Sequence, residues 1–135
     1  MNDVIRVKNA ILTQMMDHVL QDSYSECCGL LAGRNGVMTR IFAASNIMAS
    51  ATEYAIAPKE LFKSMREIRE AKLDFMGIYH SHPTGDNKPS ARDIERAYYP
   101  DVAYFILSPR EETSKPIRAF SIRDGRAEEL GIQIV

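Results

Sequence analysis

The sequence has 135 residues, enough for one ordinary domain. With 45% hydrophobic and 26% charged residues it reads as a globular chain, which excludes whole-chain disorder, collagen-like repeats and a disulfide-stapled miniprotein. Seventeen Lys and Arg against eighteen Asp and Glu leave a net charge of −1, so no overall field draws the chain to nucleic acid or to an anionic membrane.

Val4 to Val7 suits a short opening strand. Asp3, Lys8 and Asn9 interrupt the apolar run that a secretory signal would need. Leu12, Met15, Met16, Val19 and Leu20 recur at helical spacing, which predicts an amphipathic helix over residues 9–21 with both methionines in the core and His18 partly exposed beside the stripe. Cys27 and Cys28 are adjacent, and neighbours on a strand point to opposite faces, so they are poorly placed to bridge each other. Free thiols, at least one of them buried, suggest a reducing compartment and hence a cytoplasmic protein. Cys28 to Ala32 is an apolar run closed by Gly33. Asn35-Gly36 then signals a tight turn, with Val37 to Ala44 as the partner strand.

Residues 45–57 are less regular, with Tyr54 and Ile56 on a further short strand. Pro58 fits the first turn of a helix that carries Leu61, Phe62, Met65 and Ile68 on one face. The basic stretch Lys63, Arg66, Arg69 and Lys72 is interleaved with glutamates and reads as a solvated helix face. Phe75 to Tyr79 has a buried-strand pattern running into His80-Ser81-His82. Residues 83–89 are a loop by composition, in which turn formation explains Asp86 as well as metal binding does. Ser90 to Ala97 reads as a short helix. Val102 to Leu107, Ile117 to Ile122 and Ala127 to Val135 complete the strands, the last two around an Asp124-Gly125 turn. Nowhere do eighteen apolar residues run together. The sum is an α/β (α+β) chain, a single domain over residues 1–135, with a mixed, largely antiparallel sheet and about three helices.

The chemistry lies where the strand over Phe75 to Tyr79 meets a loop. His80 and His82 are two of three histidines, and side chains at i and i+2 leave a strand on one face, about 6.7 Å apart at the backbone. Two imidazoles can converge on one metal ion from that spacing, although a lone H-x-H equally describes two polar residues at a turn. Three residues past Ser90 stands Asp93, on the same face of a helix that Ser90 opens. Asp93 can complete a His-His-carboxylate set with a fourth tetrahedral position left for water, the pattern of a catalytic zinc. Ser-x-x-Asp also forms a helix cap that needs no metal, and an Asp93 carboxylate is not expected to serve both roles fully.

His80-Ser81-His82, seven residues, Ser90, two residues and Asp93 together resemble the H-x-H-x7-S-x2-D signature of the JAMM (JAB1/MPN/Mov34) metalloproteases. The resemblance extends back to Glu26-Cys27-Cys28-Gly29-Leu30-Leu31 and forward through Tyr99-Pro100-Asp101 into the strand from Val102, covering nearly the whole chain. It implies a cytidine-deaminase-like JAMM/MPN fold with a curved sheet. It also implies one Zn2+ per chain held by His80, His82 and Asp93, with Glu26 as the general base that activates zinc-bound water and Ser90 as the hydrogen-bond donor to the oxyanion.

The family hydrolyses amide or isopeptide bonds beside the C-terminal tail of ubiquitin-like proteins. The short spans between Ala44 and Pro58 and between Asp93 and Val102 resemble the compact prokaryotic members. The implied function is therefore a zinc (iso)peptidase acting on a ubiquitin-like or sulfur-carrier protein with a Gly-Gly-type tail, which would lie extended near residues 45–57, with no nucleic-acid or membrane partner. Two alternatives stand beside it: a metal-free MPN scaffold that only mediates assembly, and a RadC-like protein associated with DNA repair, whose loop shares the flavour of Pro83-Thr84-Gly85-Asp86. The sequence leaves the oligomeric state open.

Overall fold

Seven strands and three helices follow one another as β1 (Val4–Val7), α1 (Asn9–Gln21), β2 (Cys28–Arg34), β3 (Val37–Ala44), α2 (Pro58–Glu70), β4 (Asp74–Ser81), α3 (Ala91–Glu95), β5 (Ala103–Leu107), β6 (Ile117–Arg123) and β7 (Arg126–Ile134). The structure, a computed structural model, describes residues 3–135. Asn35 and Gly36 both adopt positive φ, as do Asp124 and Gly125, and these turns close the β2–β3 and β6–β7 hairpins.

The strands lie in the order β1-β3-β2-β4-β5-β6-β7, and β7 pairs back onto β1, so the sheet closes on itself. Four pairings are antiparallel, while β1–β3, β1–β7 and β4–β5 are parallel. A parallel β4–β5 pair needs a crossover, and residues 82–102, including α3, supply it.

Alternation along the strands divides the interior in two. Val7, Leu31, Tyr79, Phe105 and Leu107 pack with Ile11, Met15 and Val19 of α1. Leu30, Phe42, Ile78, Tyr104, Ile106 and Phe120 face the other way, against Ile68 of α2 and, more loosely, Leu61 and Met65. Gly29 stands opposite Tyr79 in the β2–β4 register, and a Cβ at that position would run into the Tyr79 ring. The Cys-Cys-Gly run therefore ends in glycine because the tyrosine takes the space.

Several expectations need adjustment. Tyr54 and Ile56 do not form a strand; the segment makes one bridge, Asn46 to Ile56, and otherwise follows irregular backbone. Phe62 sits one residue off the Leu61–Met65–Ile68 stripe and is 67% exposed, since a single helical step rotates a side chain about 100° away. The third helix ends at Glu95, short of Ala97. Met15 is fully buried and Met16 only partly so. Cys27 and Cys28 are both buried and free. The four basic residues of α2 and its end, Lys63, Arg66, Arg69 and Lys72, are exposed as expected. Among the described residues no helix is long and apolar enough to cross a membrane.

Candidate metal centre

β4 delivers both histidines. Its last turn of alternation puts Ile78 and His80 on one face, and His82 follows on the same side just past Ser81, anchored by its N–H to the Leu107 carbonyl at 2.9 Å. The crossover helix delivers the carboxylate. Ser90 is the N-cap of α3: its Oγ accepts the Asp93 N–H at 3.1 Å, while Asp93 Oδ2 accepts the Ser90 N–H at 2.9 Å.

The same Asp93 Oδ2 lies 3.2 Å from His80 Nε2 and 3.0 Å from His82 Nε2, and the two Nε2 atoms are 3.2 Å apart. One oxygen thus caps the helix and faces both imidazoles, so both candidate roles of Asp93 converge on Oδ2.

These spacings suit a small cation. Two ligands on a tetrahedral ion with bonds of about 2.0–2.1 Å stand about 3.3 Å apart, close to all three separations seen here. His82 Nδ1 is 2.7 Å from the Asp86 carbonyl. A carbonyl can only accept, so Nδ1 carries the proton and Nε2 keeps its lone pair for a metal. Among the described residues His80 Nδ1 has no partner, and its ring is held instead by stacking on Tyr54, with centroids 4.6 Å apart.

The electrostatics also favour positive charge at the centre. Burial works against an ionised Asp93, yet the His80 and His82 rings, which donate from Nε2 when protonated there, and the Ser90 N–H hold it well below the usual carboxylate range. Burial lowers the basicity of His82, but Asp93 and the Asp86 carbonyl outweigh it and the net shift is upward. For His80, complete burial dominates and the shift is downward. A carboxylate kept ionised between two imidazoles draws a cation into the gap.

Glu26 comes to this centre from the neighbouring strand. β2 pairs antiparallel with β4, with Cys28 opposite His80. The Ser81 N–H bonds the Cys27 carbonyl at 3.0 Å, so continuing the register sets Glu26 across from His82. Glu26 is only 4% exposed and its Oε1 has no partner among the described residues. Burial, with smaller contributions from Asp93 and Glu53 opposed by His82 and Arg92, pushes its carboxyl up from 4.5 to about 7.

A folded Glu26 that holds its proton more tightly than the unfolded chain destabilises the metal-free protein as pH rises from 4.5 through about 7. In the metal-free protein, Glu26→Gln is therefore expected to raise stability at pH 8 by on the order of 2 kcal/mol. The gain should vanish near pH 4. Denaturant melts of both proteins at the two pH values check this, and an equal or lower stability for the variant at pH 8 would contradict it.

Beside Asp93 opens a cavity of about 390 Å3, lined by Tyr54, Ile56, Leu61 and Tyr104 with Arg92 and Arg96 at its rim. Glu53 pairs with Arg92 at 3.1 Å and Arg96 at 3.5 Å, which ties the 45–57 segment to α3. The structure brings His80, His82 and Asp93 together and places Glu26 and Ser90 around them. It adds Tyr54, read from the sequence only as a strand residue. No spacing rule links Tyr54 to a histidine 26 positions away, and the stack arises from tertiary packing alone. Cys27 and Cys28 stay outside the centre: Cys27 Sγ donates to the carbonyls of His18 and Asp22, and burial pushes the Cys28 thiol up to about 12. His18 is tied down more firmly than expected, its Nδ1 lying 2.6 Å from the Tyr79 hydroxyl on the sheet face away from the metal centre.

Comparison with known proteins agrees with this geometry. The sequence profile described as prokaryotic homologs of the JAB domain matches residues 8–123. A desampylase of Haloferax volcanii is 37% identical over 105 residues, covering 76% of this chain and 76% of that protein. A CysO-cysteine peptidase of Mycobacterium bovis is 30% identical over 134 residues, covering 98% of this chain and 92% of its own. The crystal structure of a JAB1/MPN domain protein from Archaeoglobus fulgidus superposes with a TM-score of 0.65 at 14% identity, over 97% of this chain and 96% of the other, a likeness of fold.

Proposed function

This chain belongs to the family of prokaryotic homologs of the JAB domain, and from that premise we propose that it is a zinc peptidase cleaving the amide or isopeptide bond at the C-terminal tail of a ubiquitin-like or sulfur-carrier protein. The observation that carries the proposal is the convergence of His80 Nε2, His82 Nε2 and Asp93 Oδ2 within 3.2 Å of one another beside the buried Glu26, whose Oε1 has no partner among the described residues. A peptide-bond substrate is supported by relatives named as a desampylase and as a CysO-cysteine peptidase. The chain acts as one domain over residues 1–135, and its two buried free thiols fit a cytoplasmic setting.

His80, His82 and Asp93 would hold one ion per chain. When bound there, the ion would supply Lewis acidity toward the scissile carbonyl and toward a water molecule, enough for that water to give up a proton near neutral pH. Every other part falls to side chains of this protein. Glu26 would take that proton on its carboxylate and return it to the leaving amine. Ser90 Oγ accepts the Asp93 N–H, which leaves its own hydrogen free to donate to the negative charge that develops on the carbonyl oxygen. The tail lies extended along residues 45–57, with the cavity beside Asp93 taking one of its apolar side chains and backbone groups bonding the irregular segment.

The test is product mass. Ubiquitin-like proteins carrying a short extension past a C-terminal Gly-Gly are incubated with the zinc-loaded protein. Release of the extension after the second glycine is expected. Unchanged substrate masses, with zinc bound, would overturn the substrate assignment.

A further inference from the structure

The loop over residues 83–89 holds a side chain that the metal chemistry does not use directly. Thr84, Gly85, Asp86 and Lys88 are exposed, whereas Asn87 is 2% exposed. A buried primary amide is costly unless its donors are satisfied. Asn87 Nδ2 donates to the Lys115 carbonyl at 2.7 Å, just ahead of β6, and to the Ile106 carbonyl of β5 at 3.4 Å. The Arg110 guanidinium adds a bond to the Gly85 carbonyl at 2.9 Å. The loop is thus stapled at its buried residue to the two strands beneath it.

Directly before Asn87 lies Asp86, whose carbonyl receives His82 Nδ1–H at 2.7 Å. We propose that Asn87 is a positioning residue for His82: by anchoring the loop, its amide holds the Asp86 carbonyl where it fixes the orientation and tautomer of the His82 ring. Outer partners of this kind raise the affinity of a histidine for metal by keeping Nε2 unprotonated and correctly aimed. Among the described residues His80 has no partner on Nδ1, so on that side its ring is held by the stack on Tyr54 rather than by a hydrogen bond. The burden of tautomer control therefore falls on the His82 side of the centre. The inference rests on the metal role proposed for His80, His82 and Asp93.

The experiment measures Zn2+ affinity by competition with a chromophoric chelator for the wild type, Asn87→Ala, Asn87→Ser and, as a loop control, Thr84→Ala. About a tenfold loss is expected for Asn87→Ala, partial recovery for Asn87→Ser, which restores a short donor, and no change for Thr84→Ala. In nitrogen-labelled zinc-loaded protein, the His82 Nδ1 proton should exchange slowly in the wild type and faster in Asn87→Ala. A purely structural asparagine would lower the melting temperature of loaded and metal-free protein alike, with affinity and Nδ1 exchange unchanged, and that result would overturn the proposal. Failure of both Asn87 variants to fold would likewise assign the residue to the scaffold and overturn it. A wild type that binds no zinc would instead bring down the metal reading itself.

Discussion

Glu26→Gln is expected to cut turnover by roughly 10^2–10^4-fold while leaving about one zinc per chain in place. The glutamine keeps the shape of the side chain but has no site that can bind and return a proton near neutral pH. Glu26 lies outside the group of three ligand atoms, across from His82 in the extended β2–β4 register, so its loss should not open the metal site. Steady-state kinetics with elemental analysis of the same samples checks both halves. Retained turnover would remove Glu26 as the base, and loss of zinc would move it into the ligand set. Taken with the higher stability expected for metal-free Glu26→Gln at pH 8, the pair of results would mark a carboxylate kept for chemistry at a cost in stability.

The second large effect is expected at Asp93, where one oxygen has two tasks. Asp93→Asn keeps an amide oxygen that can still accept the Ser90 N–H, so the capping box survives, and the metal-free protein should lose only the charge-assisted contacts that hold the Asp93 carboxyl low. The negative charge between the imidazoles is gone, and zinc affinity should fall by more than the 10–100-fold typical of an outer partner. Turnover should fall with it. Asp93→Ala should lose the metal in the same way and, in addition, about 1 kcal/mol of stability from the broken cap. Zinc titrations and thermal melts of the metal-free proteins separate the two contributions. Unaltered affinity in Asp93→Asn would reduce the residue to a helix cap.

Much of this site could be read from short-range patterns. The period-two spacing of His80 and His82 predicts their shared face, and the strand does place both Nε2 atoms together. Ser90-x-x-Asp93 foretells both the start of α3 and a carboxylate on the correct face. The hairpin turns at Asn35-Gly36 and Asp124-Gly125 and the helix over Asn9–Gln21 follow from equally local rules. What could not be read depends on contacts between distant segments. The place of Glu26 follows from the β2–β4 register, which no spacing within either strand encodes; the family resemblance suggested its role first. The Tyr54 stack and the burial of Asn87 need the 45–57 segment and strands β5 and β6 already in position. The parallel β1–β7 pairing that closes the sheet joins the two ends of the chain, and the apolar Ile132 is absorbed there while Ile134 stays 56% exposed.

The most direct measurement is anomalous X-ray scattering at the zinc edge from crystals of the zinc-loaded protein. The predicted result is one peak per chain lying about 2.0–2.2 Å from His80 Nε2, His82 Nε2 and an Asp93 carboxylate oxygen. Zinc found only elsewhere, with these three side chains turned away from one another, would contradict the metal centre and the peptidase chemistry built on it.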